Sequence, residues 1–169
     1  ASYKPFRGDL VTAAFEQHLW NHTLWNKAYK ASVWKQGLAW AGDAYINASE
    51  DEYLYFLVAY HARRYRGISA VLYTYYLGRG LTGQSHLTCP QFGAHCRRRK
   101  AYDGIDAFLR TVKAQEALFS VCRAMRASAL SALAQEWFSY VSVSDARQAY
   151  DVFVETWGAA DVISQLADS

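Results

Sequence analysis

From Leu10 to about Lys35 the residues Val11, Phe15, Leu19 and His22 recur at spacings of four, four and three, which draws one stripe along a helix. Asp9 stands where it can cap that helix, and Gly37 and Gly42 divide the region into two. Ser49-Glu50-Asp51-Glu52 then reads as a second start. Ser49 can cap, Glu52 can close a capping box, and the acids suit the positive end of the helix. Tyr53 to Tyr60 is apolar on every face, the pattern of a central buried helix, expected from Glu50 to about Tyr65. Ile68 to Leu77 is rich in β-branched and aromatic residues and alone would suit a strand; among helical neighbours it is expected as helix.

Gly78 to His95 breaks the pattern with Gly78, Gly80, Gly83, Pro90 and Gly93. A loop over about 78–100 is expected, lying at one end of the molecule beside Arg63. Helical spacing resumes near Asp103 or Asp106 and runs through Phe108, Leu109, Leu118, Phe119, Cys122 and Met125 to about Tyr140. Val141 to Val143 interrupts it. Ser144 or Asp145 can cap a last helix with the stripe Ala149, Val152, Phe153 and Trp157. These elements predict an all-α fold: one helical domain over 1–169, a bundle of about five or six helices, with an irregular lead-in at 1–8 and one long Gly-rich loop. An all-β chain would need turn signals at short spacing, and these are missing; Pro5 and Pro90 are the only prolines.

Composition sharpens this picture in two ways. With 52% hydrophobic and 20% charged residues the chain is too apolar for disorder. Its 13 Tyr, 8 Phe and 6 Trp imply a core of large flat side chains, an adhesive surface, or both. The most apolar stretch, Tyr53 to Leu77, is cut by Arg63, Arg64 and Arg66, so no membrane span is expected. A start at Ala1 rather than Met is expected of a processed or trimmed chain.

The net charge of +3 hides an asymmetry. No Asp or Glu occurs between Glu52 and Asp103, a window that holds Arg63, Arg64, Arg66, Arg79, Arg97, Arg98, Arg99 and Lys100. From Ala127 onward Arg147 alone stands against Glu136, Asp145, Asp151, Glu155, Asp161 and Asp168. A basic face of this kind meets a polyanion, another protein, or the acidic half of its own fold.

Three groups of residues can carry chemistry. The first is His86, Cys89, His95 and Cys96, four ligands of the types that zinc prefers. A zinc ion could hold the loop, with three of these as ligands and His18, His22 or His61 supplying the fourth, although the spacing matches no common finger. A Cys89–Cys96 disulfide and three free thiols, Cys122 included, are the competing readings. The second is the basic window together with Tyr102. Arg forks bind phosphate or carboxylate and Tyr can stack on bases, but a basic run after a helix is also what its dipole favours. The third is the pair His18 and His22, four apart with Glu16 nearby; it lacks the HExxH pattern and is expected as two hydrogen-bonded histidines. Phosphate-loop and serine-elbow motifs are absent.

The expected function is therefore a non-catalytic binding or adaptor protein. It docks an acidic protein surface through Arg63, Arg64, Arg66, Arg79, Arg97, Arg98, Arg99, Lys100 and Tyr102. Nucleic acid is the alternative partner, with zinc as the one cofactor the residues suggest. A helical enzyme using His18, His22, His61 or Cys89 is the rival of another class.

Overall fold

The computed structural model describes residues 4–42, 45–74, 76 and 86–167. Among them are seven α-helices, one π-turn and a two-stranded ribbon, an all-α single-domain architecture. The helices are α1 (Ala31–Ala41), α2 (Glu50–His61), α3 (Cys89–Cys96), α4 (Arg99–Thr111), α5 (Glu116–Tyr140), α6 (Ala146–Trp157) and α7 (Ala159–Ala167). The ribbon pairs β1 (Phe6–Arg7) antiparallel with β2 (Arg64–Tyr65) inside the segment expected as a lead-in.

The all-apolar stretch of α2 is buried as its pattern requires: Tyr53 and Tyr55 to Ala59 lie in the core. α1 can lie against it because Gly37 has no side chain. A Cβ there would meet Val58 Cγ2 at 2.7 Å and the Val58 backbone nitrogen at 3.0 Å. α2 and α4 run parallel. Tyr102 meets Glu52 near the start of both, and Tyr60 packs edge-on against Phe108 near their ends, with ring centroids 4.9 Å apart. α5 is the spine, touching the π-turn, α3, α4, α6 and α7. It is also the one described helix whose length and composition would suit a membrane crossing, at mean hydropathy 1.2. A third of that apolar window is buried in the fold. Phe153 and Trp157 of the last predicted stripe are fully enclosed, and the Trp157 indole donates to the Cys96 carbonyl.

Four expectations change. Of the helix expected over Leu10–Lys35 only Ala31–Lys35 forms, as the start of α1, which runs on through Gly37. Asp9 caps as expected, accepting from the Val11 and Thr12 amides, but the chain then makes a single π-turn, Thr12–Glu16, and ends at His18 with φ 50°. Side chains outcompete the helix there. Asn21 Oδ1, Thr23 O and Asn26 Oδ1 surround the Lys27 ammonium at 2.7–2.8 Å, and Trp20 turns inward to stack on Tyr65 and donate to the Tyr55 hydroxyl.

Residues 68–74 and 76 are not helical, and their apolar side chains face solvent; Leu77 lies outside the described residues. The helix expected over Ile68–Leu77 is therefore corrected for residues 68–74 and 76: the β-branched and aromatic composition weakens a helix, and no strand among the described residues pairs with them. The 78–100 loop is shorter than expected. Thr88 and Gln91 form a capping box that starts α3 at Cys89, and Pro90 suits the first turn. Residues 77–85 lie outside the described residues. Finally, the helix expected to run unbroken to Tyr140 is split at Val112–Gln115, where Lys113 adopts φ 50°.

Candidate functional site

The basic window divides into two clusters at opposite ends of α2. Arg63, Arg64 and Arg66 follow its C-terminus, whereas Arg97 to Lys100 sit where α4 begins, beside the α2 N-terminus. Twelve residues of α2 separate the two ends by about 18 Å. The long loop's basic end therefore does not lie beside Arg63, which corrects the expectation of one continuous surface. Arg79 lies outside the described residues.

The second cluster is largely used inside the fold. The Arg98 guanidinium donates to both Glu136 oxygens, at 3.0 and 3.3 Å, and to the His95 carbonyl at 3.1 Å. Arg99 pairs with Asp103 and donates to the Thr156 carbonyl at the end of α6. Tyr102 is 2% exposed and is a core residue, not a stacking platform. Arg97 and Lys100 remain on the surface. So part of the basic window meets the acidic half of its own fold.

The first cluster stays outward. Arg63 donates to the Tyr60 and Ala62 carbonyls and closes the C-terminus of α2. Arg63, Arg64 and Arg66 are exposed, and no carboxylate among the described residues pairs with them. They run directly into the exposed segment, where Ile68 is 60%, Val71 92%, Leu72 78% and Tyr76 66% exposed. Tyr73 lies against Trp25, with ring centroids 4.7 Å apart.

Of the four zinc-type ligands, Cys89, His95 and Cys96 are on α3 and buried, while His86 is exposed. His95 Nδ1 lies 2.8 Å from Glu136 Oε2, and the Cys89 amide donates to Asp145. Burial alone would push the Glu136 carboxyl up; the His95 hydrogen bond and the Arg98 charge outweigh it and hold it below its usual range. Among the described residues no three His, Cys, Asp or Glu side chains are arranged to hold a metal. The disulfide is corrected: all three cysteines are free. Seven helical residues put Cys89 and Cys96 about 10 Å apart along α3, beyond the reach of a disulfide. Burial pushes the Cys96 thiol up to about 12 and the Cys122 thiol up to about 11, so neither is a ready nucleophile.

His18 and His22 come together at a cleft; His61 does not join them. It lies at the far end of α2 beside Tyr60 and Phe108, where burial and the Arg63 charge pull it below its ordinary value. The cleft also takes in Ser49, Glu52, Arg98 and Tyr102, a group that the pattern did not reveal. Ser49 and Glu52 looked spent on capping. In fact Ser49 has φ 58° and makes no side-chain cap, and Glu52 accepts a hydrogen bond from Tyr102 at 2.5 Å. Nothing in the spacing of residues 49, 52 and 102 marks this meeting.

Comparisons with protein-family models, with curated proteins and with solved structures give no match for this chain.

Proposed function

We propose that this protein is a non-catalytic adaptor that docks an acidic protein surface through Arg63–Tyr76. One observation carries the reading: three exposed arginines with no carboxylate partner among the described residues are followed by a non-helical stretch that exposes Ile68, Val71, Leu72 and Tyr76. Arg and Tyr dominate the energetic centres of protein interfaces, and contiguous exposed apolar side chains mark contact sites. The rest of the basic window, Arg98 and Arg99 above all, is left out of this surface. A nucleic-acid role is less well supported, because Tyr102 is in the core and the two basic clusters lie apart.

A photo-crosslinking residue at Val71, in cells of the natural source, tests the reading. A control at Val143, 95% exposed on another element, reports random encounters. The reading expects one protein with an acidic face to be captured from Val71 alone, and to be lost when Arg63, Arg64 and Arg66 are replaced by Ala. Nuclease-sensitive adducts, adducts with a second copy of this chain, or equal capture from both positions would overturn it.

A further inference from the structure

The polar cleft has no part in the docking surface, yet it is built as a site. It is a space of about 330 Å³ between the π-turn, the first turns of α2 and α4, and the middle of α5, near the lower end of small-molecule pockets. Its apolar lining comes from Phe15 of the π-turn and from Met125, Ala129 and Ala132 of α5. At the other side stands Glu52, on a helix start that also carries Glu50 and Asp51.

Glu52, its side chain 26% exposed, has one oxygen taken by a hydroxyl of the fold. Its Oε2 accepts from Tyr102, while the nearest cationic group to Oε1 is His22 Nε2, at 3.5 Å. That is longer than a normal hydrogen bond, and a carboxylate oxygen has two lone pairs to fill. The other cation at the cleft, Arg98, already has its charge matched by Glu136. Among the described residues the Glu52 carboxylate pairs with no cationic side chain but His22, and it stands at the polar end of an apolar slot. Two of its residues, His18 and Ser49, hold left-handed backbone; Lys113 is the only other non-glycine residue with positive φ among the described ones. Strained backbone of this kind gathers where a site must be held in shape.

We infer that this cleft binds a protonated primary amine on an apolar stem, the ammonium on Glu52 Oε1 and the stem between Phe15 and Met125. A free alkylamine and a lysine side chain of another protein share that chemistry.

The test is an NMR titration of the whole chain, read at the Met125 methyl and the His22 ring. The probes are pentylamine and Nα-acetyl-lysine amide, with pentanol and pentanoate as controls. Pentylamine is expected to bind with a Kd of about 1 mM, and pentanol at least about tenfold more weakly. Tighter binding of pentylamine than of acetyl-lysine amide assigns a free amine, and the reverse a lysine side chain. Glu52→Gln should weaken amine binding about tenfold. Ser128→Leu, at an exposed cleft position on α5, should abolish it with the fold intact, so the test stands even if Glu52→Gln does not fold. Equal binding of pentanol, tighter binding of pentanoate, or no shift with any amine would overturn the inference.

Discussion

Removing Arg98 separates the two roles a basic residue can have in this chain. Arg98→Ala deletes two charge-assisted hydrogen bonds to Glu136 and one to the His95 carbonyl, between side chains only 14% and 22% exposed. Hydrogen bonds to charged groups contribute about 1.5–3 kcal/mol, and a fully buried ion left without its partner costs about 3–5 kcal/mol. Here His95 still holds one Glu136 oxygen and the site is only partly enclosed, so the loss should be about 2–3 kcal/mol. For a chain of 169 residues that is a fall in Tm of roughly 5–10 °C. Arg97→Ala, at an exposed neighbour with no ion-pair partner among the described residues, should stay within about 0.5 kcal/mol of the parent. Thermal and urea unfolding followed by circular dichroism measure both. The gap between parent and Arg98→Ala should also shrink in acid. Glu136 is held below its usual range, so the stability it contributes is present above the ordinary carboxylate pKa and lost as pH falls through its folded value. If Arg98→Ala matches Arg97→Ala at neutral pH, the Arg98–Glu136–His95 cluster is a surface decoration and the division of the basic window fails.

Three further outcomes are expected. Gly37→Ala should cost about 1–3 kcal/mol despite alanine's better helix propensity, because its Cβ would collide with Val58. Val58→Ala in the same chain should restore only part of that, since the Val58 backbone nitrogen stays 3.0 Å away; full restoration would show that the helices do not approach as described. Phe153→Ala, which empties a fully buried position facing Phe92 edge-on, should cost about 3–5 kcal/mol in the same unfolding assay. A near-neutral result would put Phe153 on a surface. Stability should fall above about pH 9, where the unfolded chain releases thiol protons that folded Cys96 and Cys122 keep, by up to about 1.4 kcal/mol per pH unit per thiol. Lys27 opposes this, since burial lowers it to about 8 and its charged form strains the fold less as pH rises. Above about pH 9 one lysine does not offset two thiols, so a urea midpoint that stays flat between about pH 9 and 10 would contradict the burial of the cysteines.

The parts of the fold that were legible in the chain are those fixed by local pattern. The all-round apolar α2, the Ala149–Phe153–Trp157 stripe and the Asp9 cap follow from spacing and capping chemistry alone. The failures share another cause. At residues 17–30, Lys27 and Trp20 find partners that helical periodicity does not encode. At Thr88 the capping box was written in the sequence, but the glycines and Pro90 drew the reading toward a loop. The sites were less legible. Charge density along the chain does not tell which arginine finds a carboxylate in space: Arg98 and Arg64 look alike in sequence, yet one is tied to Glu136 and the other is exposed. Glu52 and Tyr102 are 50 positions apart and meet only because α2 and α4 run parallel.

The docking claim is tested most directly by isothermal titration of the captured partner with two variants. One is Val71→Asp with Leu72→Asp, in the exposed segment; the other is Arg97→Ala with Lys100→Ala, at the opposite end of α2. The account predicts that the first weakens binding at least about tenfold and that the second changes it less than about twofold. Loss of binding in the second variant with the first unchanged would contradict it, and would move the interface to the start of α4.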